Sequence, residues 1–152
     1  LLLHRVDLRA GEVLRTDAGI LHAYLGGDGI EVMAESDNVL RGGLTGKRID
    51  LPELLAVSRL DTGDPDLIPA STAEVVTIAG TAPEVGLTVL RAGAIGPRPA
   101  GAALALALEG EMIVDEPGGP TVLRPGQSAF LPAGAGGSVS ARGLGFLAHA
   151  QD

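Results

Sequence analysis

Apolar runs of roughly four to eight residues, each cut off by Gly, Pro, Asp or Asn, follow one another along almost the whole chain. This is the pattern of short strands joined by tight turns. Such runs cover 1–8, 21–25 and 29–34, with turn residues at Ala10-Gly11, 17–19 and 26–29. The period changes once. At 50–60, DLPELLAVSRL, the apolar residues Leu51, Leu54, Leu55 and Val57 follow helical spacing, Asp50 can serve as N-cap and Pro52 suits the first turn, so a short helix is expected. Residues 61–70, rich in Asp, Gly and Pro, read as a connector. Strands resume from Glu74, with turn signals at 80–83, 93–99, 117–120, 125–126 and 133–137. The chain is therefore expected to be mainly β, a sandwich or small barrel with one helix near 50–60.

Residues 21–44, LHAYLGGDGIEVMAESDNVLRGGL, stand apart from this background. A His, a Tyr, four acidic residues, an Asn and an Arg are threaded through a stretch that otherwise reads as buried strand. That mixture marks a candidate site. An internal repeat frames it: LRAGEVLRTDAGILHAY, 8–24, laid on LRPGQSAFLPAGAGGSV, 123–139, matches Leu8, Arg9, Gly11, Ala18 and Gly19 to Leu123, Arg124, Gly126, Ala133 and Gly134. Each copy reads as turn, strand, Ala-Gly turn, strand. Where the first has His22, the second has Gly137.

Composition narrows the classes. In 152 residues, 45% are hydrophobic but only 2% aromatic, so an aliphatic core of Leu, Val, Ile and Ala is expected, in one well-buried domain or two small ones. A formal charge of −8 with no Lys/Arg cluster argues against nucleic acid. The absence of Cys excludes disulfides and thiolate metal sites, leaving N and O ligands for any metal, and suits a cytoplasmic protein. No apolar run approaches the roughly 18 residues of a membrane helix, so no membrane partner is expected. The chain opens on Leu1 rather than Met, which reads as a piece of something longer.

HAY, then GDGIE, then SDNVLRGGLT and a Lys form a long irregular string within 11–55, and with 104–138 it resembles the C-terminal part of type I mannose-6-phosphate isomerase, a zinc enzyme of the cupin superfamily. The resemblance implies a cupin-type jelly-roll, the double-stranded β-helix, as part of a bicupin. Residues 1–60 would be the C-terminal part of the catalytic cupin with its short helix, 61–70 a connector and 71–152 a degenerate, non-catalytic cupin. The implied reaction interconverts mannose 6-phosphate and fructose 6-phosphate through a cis-enediol, with one Zn²⁺.

The resemblance also distributes roles. His22 falls on the family's metal-binding histidine, where one ring nitrogen would hold Zn²⁺ while another group sets the tautomer; otherwise it is a core histidine bonded to a backbone carbonyl. Arg41 matches the arginine treated as catalytic, a charged fork suited to a sugar phosphate or an enediolate; the alternative is an ion pair with Asp37 or Glu35. Tyr24, placed on the same side as His22 if the stretch is a strand, Glu31 and Lys47 fall on substrate-binding positions, each with an ordinary surface reading beside it. Asp37 and Asn38 read first as turn formers. A zinc site needs further ligands, and the family's Gln, His and Glu come from an N-terminal region, which makes that region a partner of this chain and the chain itself an inactive portion. Two departures stand out: Arg15-Thr16-Asp17 replaces an apolar pair and Pro before Ala-Gly, and Gly46 stands where Pro is common. A second reading, a non-catalytic cupin module for sugar binding or subunit association, treats His22 and Arg41 as relics.

Overall fold

The computed structural model describes residues 3–36, 39–43, 45–60 and 63–151. The chain divides into two compact units, Leu1–Glu31 with Glu35–Ala70, and Val32–Ala34 with Ser71–Asp152. The mainly β expectation holds, and no helix of the described residues is long and apolar enough to cross a membrane.

The first unit contains strand β1 (Val13–Arg15), helix α1 (Leu51–Val57) and strand β2 (Asp66–Ile68). The helix forms for the reasons its sequence suggests. Asp50 Oδ1 accepts the Glu53 N–H at 3.3 Å, Pro52 sits in the first turn, and the Ser58 N–H closes the last turn on the Leu54 carbonyl at 2.9 Å. Only Leu54 is buried among the described residues of this unit. β1 and β2 pair antiparallel, Arg15 opposite Asp66, with an ion pair at 2.7 Å. A strand thus lies inside the stretch that reads as a connector, because its three residues are recruited by a partner and carry no apolar run of their own.

Two expectations fail here. The runs at 21–25 and 29–34 are not strands, nor are the described residues of 1–8, and the site stretch is largely exposed where a buried strand was expected. A strand exists only where its N–H and C=O groups meet a neighbouring ladder, and among the described residues none pairs with these segments. Apolar pattern alone cannot supply that neighbour.

The second unit holds nine strands: β3 (Val75–Ala79), β4 (Gly86–Leu90), β5 (Ile95–Pro97), β6 (Ala103–Glu109), β7 (Met112–Asp115), β8 (Thr121–Leu123), β9 (Ser128–Leu131), β10 (Ser138–Ala141) and β11 (Leu144–His149). They form a four-stranded sheet, β5-β10-β7-β8, and a five-stranded sheet, β3-β4-β11-β6-β9, paired antiparallel throughout. Both faces of β6 are apolar in sequence, and the structure turns Ala103, Ala105 and Ala107 inward while Leu104 and Leu108 face out. Small residues on this sheet leave room for larger ones from the other: Met112 of β7 lies where a side chain on Gly145 of β11 would stand. Leu90, Val114, Leu123, Leu131, Val139 and Leu147 complete the core.

The first half of the repeat is shared in geometry, while its closing strand is present only in the second copy, as β10, among the described residues. The Glu12 N–H bonds the Arg9 carbonyl at 3.0 Å and the Gln127 N–H bonds that of Arg124 at 2.8 Å, while Gly11 and Gly126 have φ of 85° and 82°. Glu12 and Gln127 each return a side-chain oxygen to the backbone N–H three residues earlier, at 2.8 and 2.9 Å. These residues are not identical, yet they make the same bond. β1 and β9 then leave the two turns at matching positions.

Among the described residues one charged residue, Arg98, is buried as a whole. The side chain of Arg98, only 3% exposed, gives Nη1 to Glu116 Oε1 and Nη2 to the Pro132 carbonyl, both at 3.3 Å. Removing the counter-charge strands a guanidinium away from water, so Glu116→Ala is expected to lower unfolding stability by about 2 kcal/mol, less than for a fully enclosed pair because Glu116 is partly solvated. A urea midpoint at the parent value would show that Arg98 does not depend on this carboxylate.

Candidate active site

The chain that carries His22 is held by a turn docked on the end of α1. Gly19 has φ of 83°, and a Cβ on it would come within 2.8 Å of the Val57 carbonyl oxygen, so only glycine allows this approach. The Arg59 N–H bonds the Gly19 carbonyl at 2.9 Å, Arg59 pairs with Asp17 at 3.2 Å, and Ile20 and Arg59 form an isolated parallel bridge. Asp17 is therefore an anchor for this turn.

Beyond the turn, three of the five expected residues come together. His22 Nδ1 lies 3.0 Å from the Ile20 carbonyl oxygen, which can only accept, so in the neutral imidazole Nδ1 carries the proton and Nε2 the lone pair. Glu31 Oε1 stands 4.0 Å from that Nε2 and accepts the Tyr24 hydroxyl at 2.7 Å. The His22 and Tyr24 rings meet edge to face, centroids 6.2 Å apart. The hydrogen bond to Glu31, with burial and the carboxylate's charge behind it, pushes the Tyr24 phenol up to about 12, so it remains a donor across the neutral range.

Arg41 and Lys47 make no hydrogen bond or ion pair to this cluster. A Cβ on Gly42 would stand 3.5 Å from the Leu21 side chain and 3.9 Å from that of Leu54, so the Arg41 segment runs alongside that of His22. The Arg41 side chain has no acidic partner among the described residues. Lys47 is fixed through its backbone, whose N–H bonds Thr45 Oγ1 at 3.1 Å. Asp37 and Asn38 lie outside the described residues. The Ile20 carbonyl, which sets the His22 tautomer, is the contributor that sequence reading misses, since every residue has a carbonyl and nothing in the residue type signals it.

An exposed imidazole nitrogen with its lone pair free fits a metal ligand. Among the described residues no group of three or more His, Asp or Glu side chains is placed to hold an ion, so this cluster is not by itself a complete metal site. What it offers is an exposed imidazole nitrogen with a carboxylate held beside it.

No family model matches the chain. It is 39% identical to the mannose-6-phosphate isomerase of Salmonella typhimurium over 98% of its own length and 39% of that protein's, and 34% identical to mannose-6-phosphate isomerase 1 of Arabidopsis thaliana over 84% of its length and 31% of the relative's. The chain thus spans about two fifths of the Salmonella relative. The Salmonella enzyme solved bound to its substrate and to zinc matches at a TM-score of 0.63 and 29% identity, over 79% of this chain and 32% of that one. Alanine variants of that enzyme at a histidine, a glutamate and an arginine match as well. Over the matched residues the mainly antiparallel β architecture is that of these isomerase structures, the cupin-type jelly-roll.

Proposed function

This chain is homologous to part of the mannose-6-phosphate isomerases, and from that premise we propose that it is the C-terminal portion of such an enzyme, contributing one wall of a zinc-dependent active site. One observation carries the reading: sequence identity of 39% runs along 98% of the chain. The site geometry supports it. In the Salmonella variants, the glutamate and the arginine stand nine and nineteen residues after one of the replaced histidines, the separations of Glu31 and Arg41 from His22.

In this reading His22, with Nδ1 committed to Ile20, presents Nε2 to the metal, and the remaining ligands come from the rest of the enzyme. Zinc, when bound, polarises the sugar oxygens. Glu31 accepts a sugar hydroxyl, and Arg41 lends permanent positive charge where negative charge builds on oxygen as a proton leaves the carbon next to the carbonyl and is returned to its neighbour. Lys47 assists with the phosphate and Tyr24 lines the pocket. We read 71–152 as a non-catalytic cupin, since Gly137 offers no side chain where the first copy has His22 and the nearby buried cation, Arg98, is already paired.

The full-length enzyme, assayed by coupling fructose 6-phosphate formation to a dehydrogenase, is expected to turn over mannose 6-phosphate and to lose that activity on chelation, with recovery on adding zinc. Turnover indifferent to chelator would remove the metal from the reading. No turnover at all would favour the binding-module alternative.

A further inference from the structure

We propose that Tyr24 is a positioning residue that acts through Glu31, an inference that rests on the isomerase reading. Glu31 is half exposed, and a carboxylate on so long a side chain samples many rotamers in water, at an entropic cost whenever one must be selected. The Tyr24 hydroxyl selects one. It bonds Oε1 at 2.7 Å, and that same oxygen stands 4.0 Å from His22 Nε2, beyond hydrogen-bonding reach. The phenol is aimed in turn by its edge-to-face contact with the imidazole.

Two consequences follow for ligand chemistry. The Nε2 lone pair is left to a metal, and Oε2, which has no partner among the described residues, is left to accept from a polyhydroxylated ligand. Tyr24 therefore prepares the carboxylate without contacting the reacting atoms. Removing its hydroxyl leaves Glu31 present but unselected, and the ordering is then paid for at the transition state.

Two measurements test this. In the full-length enzyme, Tyr24→Phe is expected to lower kcat by on the order of ten-fold, the usual size for a group that orients another, with KM within about two-fold and zinc content unchanged. In a Glu31→Gln background the same substitution is expected to cost nothing further. Equal losses in both backgrounds, a raised KM at unchanged kcat, or loss of zinc would each overturn the proposal, the last two by assigning Tyr24 to the substrate or the metal. The second measurement needs no turnover. The 152-residue chain has one Tyr and no Trp, so its intrinsic emission comes from Tyr24 alone. A carboxylate accepting from the phenol quenches it, so Glu31→Gln is expected to raise the emission and Glu35→Gln to leave it unchanged. Unchanged emission in Glu31→Gln overturns the proposal; raised emission in an enzyme without isomerase activity sinks the function and leaves the Tyr24–Glu31 pairing standing.

Discussion

Truncating Arg41 to alanine in the full-length enzyme is expected to lower kcat by on the order of 10²–10³, the range seen when a preorganised charge or donor facing a developing oxyanion is removed. The expectation comes from what Arg41 does not do in the fold. It has no acidic partner among the described residues, and it is its neighbour Gly42 at which an added Cβ would meet Leu21 at 3.5 Å and Leu54 at 3.9 Å. The thermal midpoint and zinc content of Arg41→Ala should therefore match the parent. His22→Ala is expected to cause at least as large a loss by a different route, with zinc content falling in parallel, because Nε2 is the one ring nitrogen free to bind. Metal analysis and kinetics on the two variants together separate the roles. Full activity in either would falsify the role assigned to that residue.

Gly137→His is expected to destabilise the second unit by roughly 3–5 kcal/mol, from backbone strain and overpacking together. This substitution writes the ligand residue of the first copy into the second. Gly137 has φ of 99°, a Cβ there would overlap the Asp115 carbonyl oxygen, and the Arg98 side chain lies 3.5 Å from the same point. β10 begins at the next residue and pairs with β7 through Ser138 and Asp115, so the strain cannot be relieved without loosening that ladder. Urea unfolding of the variant gives the size of the effect. A midpoint equal to that of the parent would mean that the second copy could have kept a histidine, and that its glycine is not imposed by packing.

Local features were legible in the residues. The helix was, because Asp50, Pro52 and the Leu54 spacing act within a single turn. So was the first half of the repeat, whose turns reappear with the same hydrogen bonds at Arg9–Glu12 and Arg124–Gln127. Within the site, HAY followed by Glu31 named three residues that the structure groups. Strand assignment in 21–34 was not legible, since the apolar runs there look like those of the second unit and differ only in having no ladder to join. The orientation of β6 was hidden as well: ALALALE is apolar on both faces, and the packing of the shared core decides that alanine goes inward.

By itself, then, the sequence determined what lies within a few bonds of each residue: the helix, the glycine turns and the β character of the second unit. Tertiary structure alone decided which apolar runs became strands, which face of β6 met the core, that the Ile20 carbonyl would choose the His22 tautomer, and that Tyr24 would hold Glu31 beside it. The physical reason is common to all four. Each depends on a partner atom whose identity is set by how the chain returns through space, and a backbone oxygen or a neighbouring strand leaves no mark on the residue that needs it.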